Sequence, residues 1–214
     1  MINTGLLEID ELVKTVSVAL EEDVGPGDLT ANLVSDRQST ANLICRDDAV
    51  VSGRPWFDLC FELIDASVSI NWFKDEGEQI HGNDVICQIQ GPARSILTAE
   101  RTALNFLQTL SAVATTTKQY VDAVAGTGCK ILDTRKTLPG LRKAQKYAVS
   151  CGGGHNHRIG LYDAILIKEN HISAAGSVCR ALELARKAAK PGVLIEIEVE
   201  DLAQLEQAIE CGAK

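Results

Sequence analysis

Little of this sequence is aromatic: Phe, Trp and Tyr together make up 4% of its 214 residues. A platform that stacks bases needs several such rings on one face, so single-stranded nucleic acid is a poor match. Cationic residues are outnumbered, with 21 Lys and Arg against 29 Asp and Glu and a formal charge of −8. Domains that bind nucleic acid normally show the opposite imbalance, and no such partner is expected. An anionic small molecule stays compatible with this charge, because a local basic pocket can sit in an acidic protein. No apolar run approaches the roughly 18–20 residues of a membrane helix, so no membrane partner is expected. The opening MINTGLLEIDELVK lacks a basic segment followed by an apolar one and does not read as a secretion signal.

Two motifs are also missing. The seven cysteines (45, 60, 87, 129, 151, 179 and 211) are scattered, the nearest pair being 15 residues apart, and no CxxC occurs. That spacing excludes the common zinc and thiol-redox signatures and leaves reduced, mostly buried thiols in a cytoplasmic protein as the expectation. No GxGxxG follows any strand-like segment, which argues against a dinucleotide-binding fold.

What is present divides into two patterns. Residues 6–23 place Ile9, Leu12, Val13, Val16 and Leu20 on one helical stripe that Gly25, Pro26 and Gly27 interrupt. Between 40 and 92, TANLICR, AVVSG, VSINWF and DVICQIQ predict short strands around a helix at 55–65, with a turn at His81–Asp84. Residues 95–125 predict the longest helix, with Leu104, Leu107, Leu110 and Ala114 inward. After 128 strands and helices alternate: KILDT (130–134), a helix opened by Pro139, AILIK (164–168), a helix near 176–189, VLIEIEV (193–199) and a helix at 201–211. Strands spaced by about 30 residues with helices between them signal βα units and a parallel sheet, either open or closed into a barrel. Three such units do not close a barrel of seven or eight, so the chain is expected to be a fragment of a longer fold.

Each late strand ends in charge. KILD runs into Thr134, Arg135 and Lys136, AILI into Lys168 and Glu169, and LIEI into Glu198. Ligands of βα folds bind at the C-terminal ends of the parallel strands, so these residues are expected to converge on one site. Between the first two strands lies Cys151-Gly-Gly-Gly-His-Asn-His157-Arg158, where the glycines permit close approach of a ligand and Arg158 offers a planar fork for carboxylate or phosphate. His155 and His157 lack a cysteine or carboxylate at zinc-ligand spacing. Cys151 has a nearby histidine but no clear orienting group, which suits a hydrolase poorly. Glu196, Glu198 and Glu200 share one face of their strand, and Lys136, Lys168 or a divalent cation could balance them. Several cations, a carboxylate and no nucleophile–base pair fit group transfer from a phosphorylated donor with Mg²⁺.

Asp133-Thr-Arg-Lys-Thr-Leu-Pro-Gly-Leu-Arg142 resembles the DTRKTxPGLR hallmark of the quinolinate phosphoribosyltransferase family. GGGHNHRIGLYD (152–163) is similar to that family's GGGxxNHRxGLxD loop, shorter by one position. LIKENH (166–171), IEIEVE (195–200), LEEDVGPGDLT (20–30) and ERTALNFLQTLSAVAT (100–115) extend the likeness over essentially the whole chain. The resemblance implies an α/β fold, with an N-terminal α/β sandwich over 1–112 and an incomplete TIM-like parallel α/β barrel over 113–214. It implies transfer of phosphoribosyl from phosphoribosyl pyrophosphate to quinolinate, with decarboxylation to nicotinate mononucleotide, by a homodimer using Mg²⁺. Arg135, His157 and Arg158 would bind the two quinolinate carboxylates, beside Thr134, with Arg101 contributed by a neighbouring subunit. Lys136 and Lys168 would contact phosphoribosyl pyrophosphate or the carboxylates, and Glu198 the ribose and Mg²⁺. The family's next acidic strand end and its 5-phosphate loops would lie beyond residue 214. A related transferase acting on another pyridine acid, or a non-catalytic binding module, is the alternative.

Overall fold

The computed structural model describes residues 2–214, apart from the side chain of Asn32, and is α/β throughout. It forms two compact units, one ending at His157 and the other running from Arg158 to Lys214. The residue at which the sandwich was expected to end, 112, lies inside a continuous helix, Ala93–Ala123.

The first unit opens with helix α1 (Ile9–Val24), whose first turn carries Asp10 and Glu11. Acidic side chains there complement the positive end of the helix dipole. Val16 and Leu20 are buried as the stripe predicts, but Ile9 is 64% exposed and Leu6 belongs to a preceding 3-10 turn. Strands β1 (Gln38–Ile44), β3 (Ser69–Trp72) and β5 (Val85–Pro92) form an antiparallel sheet in the order β1-β5-β3. The central strand, β5, buries Ile86, Cys87 and Ile89, while edge strand β1 alternates exposed and half-buried residues. Strand β2 (Ala49–Val50) pairs with β4 (Gln79–Ile80), a two-residue strand too short to show a period in the sequence.

Helix α2 (Arg54–Ile64) has Pro55 in its first turn and buries Trp56, Phe57, Cys60 and Phe61. Phe57 meets Trp72 of β3 edge to face, with ring centroids 5.2 Å apart. Helix α3 (Ala93–Ala123) packs against α2 with Ala99, Ala103, Leu107, Leu110 and Ala114, a stripe at spacings of three and four residues. Small residues in that stripe let neighbouring backbone come close.

The chain after α3 departs from expectation twice. KILDT forms no strand, because its extended backbone pairs at one position only, a parallel bridge between Leu132 and His155. The helix expected from Pro139 starts instead at Arg142, as α4 (Arg142–Cys151). Gly140 intervenes at φ +80°, a left-handed conformation that cannot belong to an α-helix. At the other end of α4, a Cβ on Gly152 would lie 2.3 Å from the carbonyl oxygen of Ala114 in α3. The glycine read as room for a ligand therefore serves helix packing.

The second unit is a βαβα arrangement. Strands β6 (Ala164–Ile167) and β7 (Leu194–Ile197) are parallel, with Ile167 opposite Ile197. Helices α5 (Glu169–Ala175) and α6 (Val178–Ala188) lie between them in the chain, and α7 (Leu202–Glu210) follows. The short α5 was not expected. Ser177 and Asp201 cap α6 and α7 by accepting from Arg180 N at 3.2 Å and Gln204 N at 2.7 Å. Ile167, Val178, Ala181, Leu182, Ala185 and Ala208 form the core, against which Ile195, Ile197 and Val199 pack. Glu196, Glu198 and Glu200 share the opposite face, as the alternation predicts, and that face is exposed.

Cysteine is corrected at two positions. Cys179 and Cys211, expected as thiols, form a disulfide with a Cα–Cα distance of 5.5 Å. Packing of α6 against α7 brings them together, and their separation of 32 residues carried no sign of it. Cys60, Cys87 and Cys151 are free and buried, Cys45 is half-buried and Cys129 exposed. Among the described residues no helix is long and apolar enough to cross a membrane.

The Gly152 contact sets a test of the fold. Gly152→Ala should lower the unfolding free energy by about 1–3 kcal/mol, the usual cost of forcing extra volume into a packed site. Urea denaturation monitored by tryptophan fluorescence measures it, and unchanged stability would show that α3 and α4 do not approach this closely.

Candidate active site

The Leu132–His155 bridge aligns two extended segments in parallel. His155 N donates to Ile131 O at 2.8 Å, and Asp133 N donates to His155 O at 3.1 Å. Thr134, Arg135 and Lys136 leave one segment, and His157 leaves the other, on the same C-terminal side. The turn is braced locally: Lys136 N donates to Thr134 Oγ1 at 3.0 Å, and Thr137 N to Arg135 O at 3.1 Å.

Beneath that turn lies a buried polar knot. Lys146 of α4 is fully buried and ion-paired with Asp133, whose side chain is 6% exposed. Asp133 also accepts from His157 N at 2.8 Å and from Asn156 Nδ2 at 2.7 Å. Lys146 Nζ donates in addition to His157 O at 3.0 Å, and Asn156 Nδ2 to Lys146 O at 2.7 Å. Both main-chain polar groups of His157 are thus gripped by one buried ion pair.

Arg135 is half-buried, and its Nε is buried with no hydrogen-bond partner among the described residues. A buried guanidinium nitrogen left unpaired is costly, and an incoming carboxylate or phosphate would satisfy it. Lys136 and Thr134 are exposed.

The second unit repeats the parallel arrangement with different chemistry. Lys168 and Glu198 directly follow β6 and β7, and Glu198 N donates to Ile167 O at 2.9 Å, carrying the ladder one step further. Their side chains meet at 3.1 Å and are 45% and 58% exposed. A pair that open to water is worth little, so both groups can exchange each other for a ligand. Lys168 also begins α5, where His171 Nδ1 accepts from Lys168 N at 3.0 Å, so this histidine caps a helix. Arg158 donates from Nη1 to Ala164 O at 3.2 Å, at the start of β6.

Cys151 is not a nucleophile. Burial pushes its thiol up to about 12, and its Sγ faces the carboxylate of Glu76 at 3.5 Å rather than a histidine. Glu76 is committed elsewhere, accepting from Gly53 N at 2.9 Å and Arg54 N at 2.6 Å at the start of α2. A groove of about 910 Å³ between α1, α3 and residues 137–144 contains none of the expected site residues. Glu8, Glu11, Glu22 and Asp23 line it together with Lys14, Arg142 and Lys143, so it carries both signs of charge.

These strand ends match a known family. A family model described as the N-terminal domain of quinolinate phosphoribosyl transferase covers residues 28–111, and one for its C-terminal domain covers 113–214. The chain belongs to the quinolinate phosphoribosyltransferase family. A probable nicotinate-nucleotide pyrophosphorylase (carboxylating) of Bacillus subtilis is 43% identical over 204 residues, 95% of this chain and 71% of that protein. A chloroplastic counterpart from Oryza sativa is also 43% identical, over 89% of this chain and 52% of its own length. The solved nicotinate-nucleotide pyrophosphorylase of Francisella tularensis superposes with a TM-score of 0.94 at 43% identity, covering 97% of this chain and 74% of that one. This chain therefore spans between about half and three quarters of these relatives.

Within the family frame, the structure distributes the expected residues as follows. Thr134, Arg135, Lys136 and His157 stand together in the first unit, and Arg158, Lys168 and Glu198 in the second. Arg101 is exposed on α3 and forms no ion pair among the described residues. The reading of the sequence missed Lys146 and Asn156. A lysine between Ala144 and Tyr147 on the apolar side of an amphipathic helix was the available signal, since such a position demands a buried partner.

The thiols provide a check on this geometry. Cys60, Cys87 and Cys151 are each pushed up to about 12 by burial, so almost no thiolate exists at pH 8. Iodoacetamide should label Cys129 in the native protein and reach those three only after unfolding. Mass spectrometry of labelled peptides reads the result, and rapid native labelling of Cys151 would return it to consideration as a nucleophile.

Proposed function

We propose that this chain carries the reaction for which its relatives are named, forming nicotinate mononucleotide from quinolinate and phosphoribosyl pyrophosphate. The observation that carries it is the unpaired buried Nε of Arg135, two residues after the Asp133 that anchors His157. Arg135 and His157 depart from two paired segments and suit a ligand with two adjacent carboxylates. Arg158, in the second unit, offers a further planar fork for an anion.

The chemistry asks for charge management rather than a nucleophilic side chain. The pyridine nitrogen attacks ribose C1 as the C1–oxygen bond to pyrophosphate breaks and its electrons leave with the pyrophosphate. Positive charge develops at C1, where the carboxylate of Glu198 can stabilise it. Lys136 and Lys168 oppose the charge of the donor's phosphates. The pyridinium then loses its 2-carboxylate as CO₂, the bonding electrons returning to the ring and a proton taking the vacated carbon. Arginine and histidine contacts to the carboxylates mainly fix the attack geometry and offset repulsion between two polyanions in one site.

A resident metal cage is not what the donor set resembles, since among the described residues no three His, Cys, Asp or Glu side chains converge. The half-exposed Glu198 fits Mg²⁺ of the kind that keeps its waters and binds substrate phosphates through one or two carboxylates. Such an ion would supply neutralisation of the leaving pyrophosphate. The protein would act as a homodimer in which the exposed Arg101 reaches a neighbouring subunit's site. Five of the seven cysteines are free, which favours a reducing, cytoplasmic setting, and the Cys179–Cys211 disulfide is the feature that points the other way.

Incubation with quinolinate, phosphoribosyl pyrophosphate and Mg²⁺ tests the reading. Nicotinate mononucleotide, pyrophosphate and CO₂ should appear in equal amounts, followed by chromatography and trapped label from the 2-carboxylate. Nucleotide formed from nicotinate in place of quinolinate, without CO₂, would assign the site to a monocarboxylate instead.

A further inference from the structure

Three features lie outside the chemistry above: the groove beside α1, the Cys179–Cys211 disulfide, and the Asp133–Lys146–Asn156 knot. The knot carries an argument furthest, and it rests on the proposed function. We propose that Asp133, Lys146 and Asn156 are positioning residues that set the distance and direction between Arg135 and His157, and through them selectivity for a dicarboxylate.

Removing two charges from water costs more than burying apolar groups of the same volume, so a buried ion pair is weak evidence for stability. What it supplies that an apolar pair cannot is direction, because each bond to a charge has a preferred angle. Here the bonds of the ion pair lead to the same two segments, while Asn156 Oδ1 also accepts from Asn3 Nδ2 at 2.8 Å. Oδ1 of Asp133 meets Lys146 and the amide of His157, while Oδ2 takes Asn156 Nδ2 at 2.7 Å. Lys146 then closes the ring on the carbonyl of His157 at 3.0 Å. His157 is held at both its amide and its carbonyl, which fixes the plane from which its side chain departs. Arg135 leaves the opposite segment two residues beyond Asp133, from a turn braced by Thr134.

The backbone pairing alone cannot do this. A single bridge with two backbone bonds joins the segments at 131–133 and 155. Beyond it, the buried pair holds residue 157 to residue 133 at both its amide and its carbonyl. A shift of 1 Å between cation-bearing arms is enough to spoil a two-point grip on one small rigid ring.

The test uses Asp133→Asn with Lys146→Met in the full chain, which removes both charges without leaving either unpaired. Neutral replacement of a whole buried pair is commonly tolerated by a fold. Melting should stay near that of the parent protein, while calorimetry should show quinolinate binding weakened by about tenfold or more, the loss of roughly one charge-assisted contact. Binding of phosphoribosyl pyrophosphate with Mg²⁺ should change much less. Asn156→Ala, which removes only a neutral member, provides a second variant in case the double one does not fold, and should weaken quinolinate selectively as well. Unchanged quinolinate affinity in either folded variant, or equal loss for both ligands, would make the knot structural and overturn the proposal. A parent protein that binds no quinolinate at all would instead sink the functional reading, and this inference with it.

Discussion

The position of the cationic turn after Asp133 depends on one buried ion pair. Lys146 sits fully buried inside α4, and Asp133 meets it at the end of a segment too weakly paired to count as a strand. Neither charge would stay in place without the other, since an isolated buried ion costs several kcal/mol. The pair therefore ties α4 to the 133 segment, and Asn156 and the backbone of His157 complete its coordination. Helix α4 is in turn seated on α3 through the glycine at 152. The position of the cationic turn is thus inherited from helix packing in the core.

The two ion pairs of the strand ends differ in kind. Asp133–Lys146 is dry and multiply hydrogen-bonded, while Lys168–Glu198 lies half in water with a single contact at 3.1 Å. The first is suited to holding a scaffold, the second to giving way to a ligand.

Much of this was legible in the sequence because the signals were local. The charges after AILI and LIEI marked the ends of β6 and β7, whereas KILD ends a segment with a single bridge, and the alternation of Glu196, Ile197, Glu198 and Val199 gave the two faces of β7. The ordered motifs from Asp133 to Arg142 and from 152 to 163 carried the family. What escaped depended on distance in the chain. No local pattern linked Lys146 to Asp133, Cys179 to Cys211, or Gly152 to Ala114, because each contact is created by packing of elements. The bounds of α4 were missed for a local reason, since Gly140 can adopt either hand and the sequence does not say which it takes.

On the proposed function, Arg135 and His157 are the fixed arms of a site that reads two carboxylates on one ring. Comparison of quinolinate with nicotinate, which lacks the 2-carboxylate, tests that claim most directly in the unmodified protein. A hydrogen bond to a charged group is worth about 1.5–3 kcal/mol, so calorimetry should find quinolinate bound at least about tenfold more tightly. Equal affinity for the two acids would contradict the account, because the second carboxylate would then be meeting no group built to receive it.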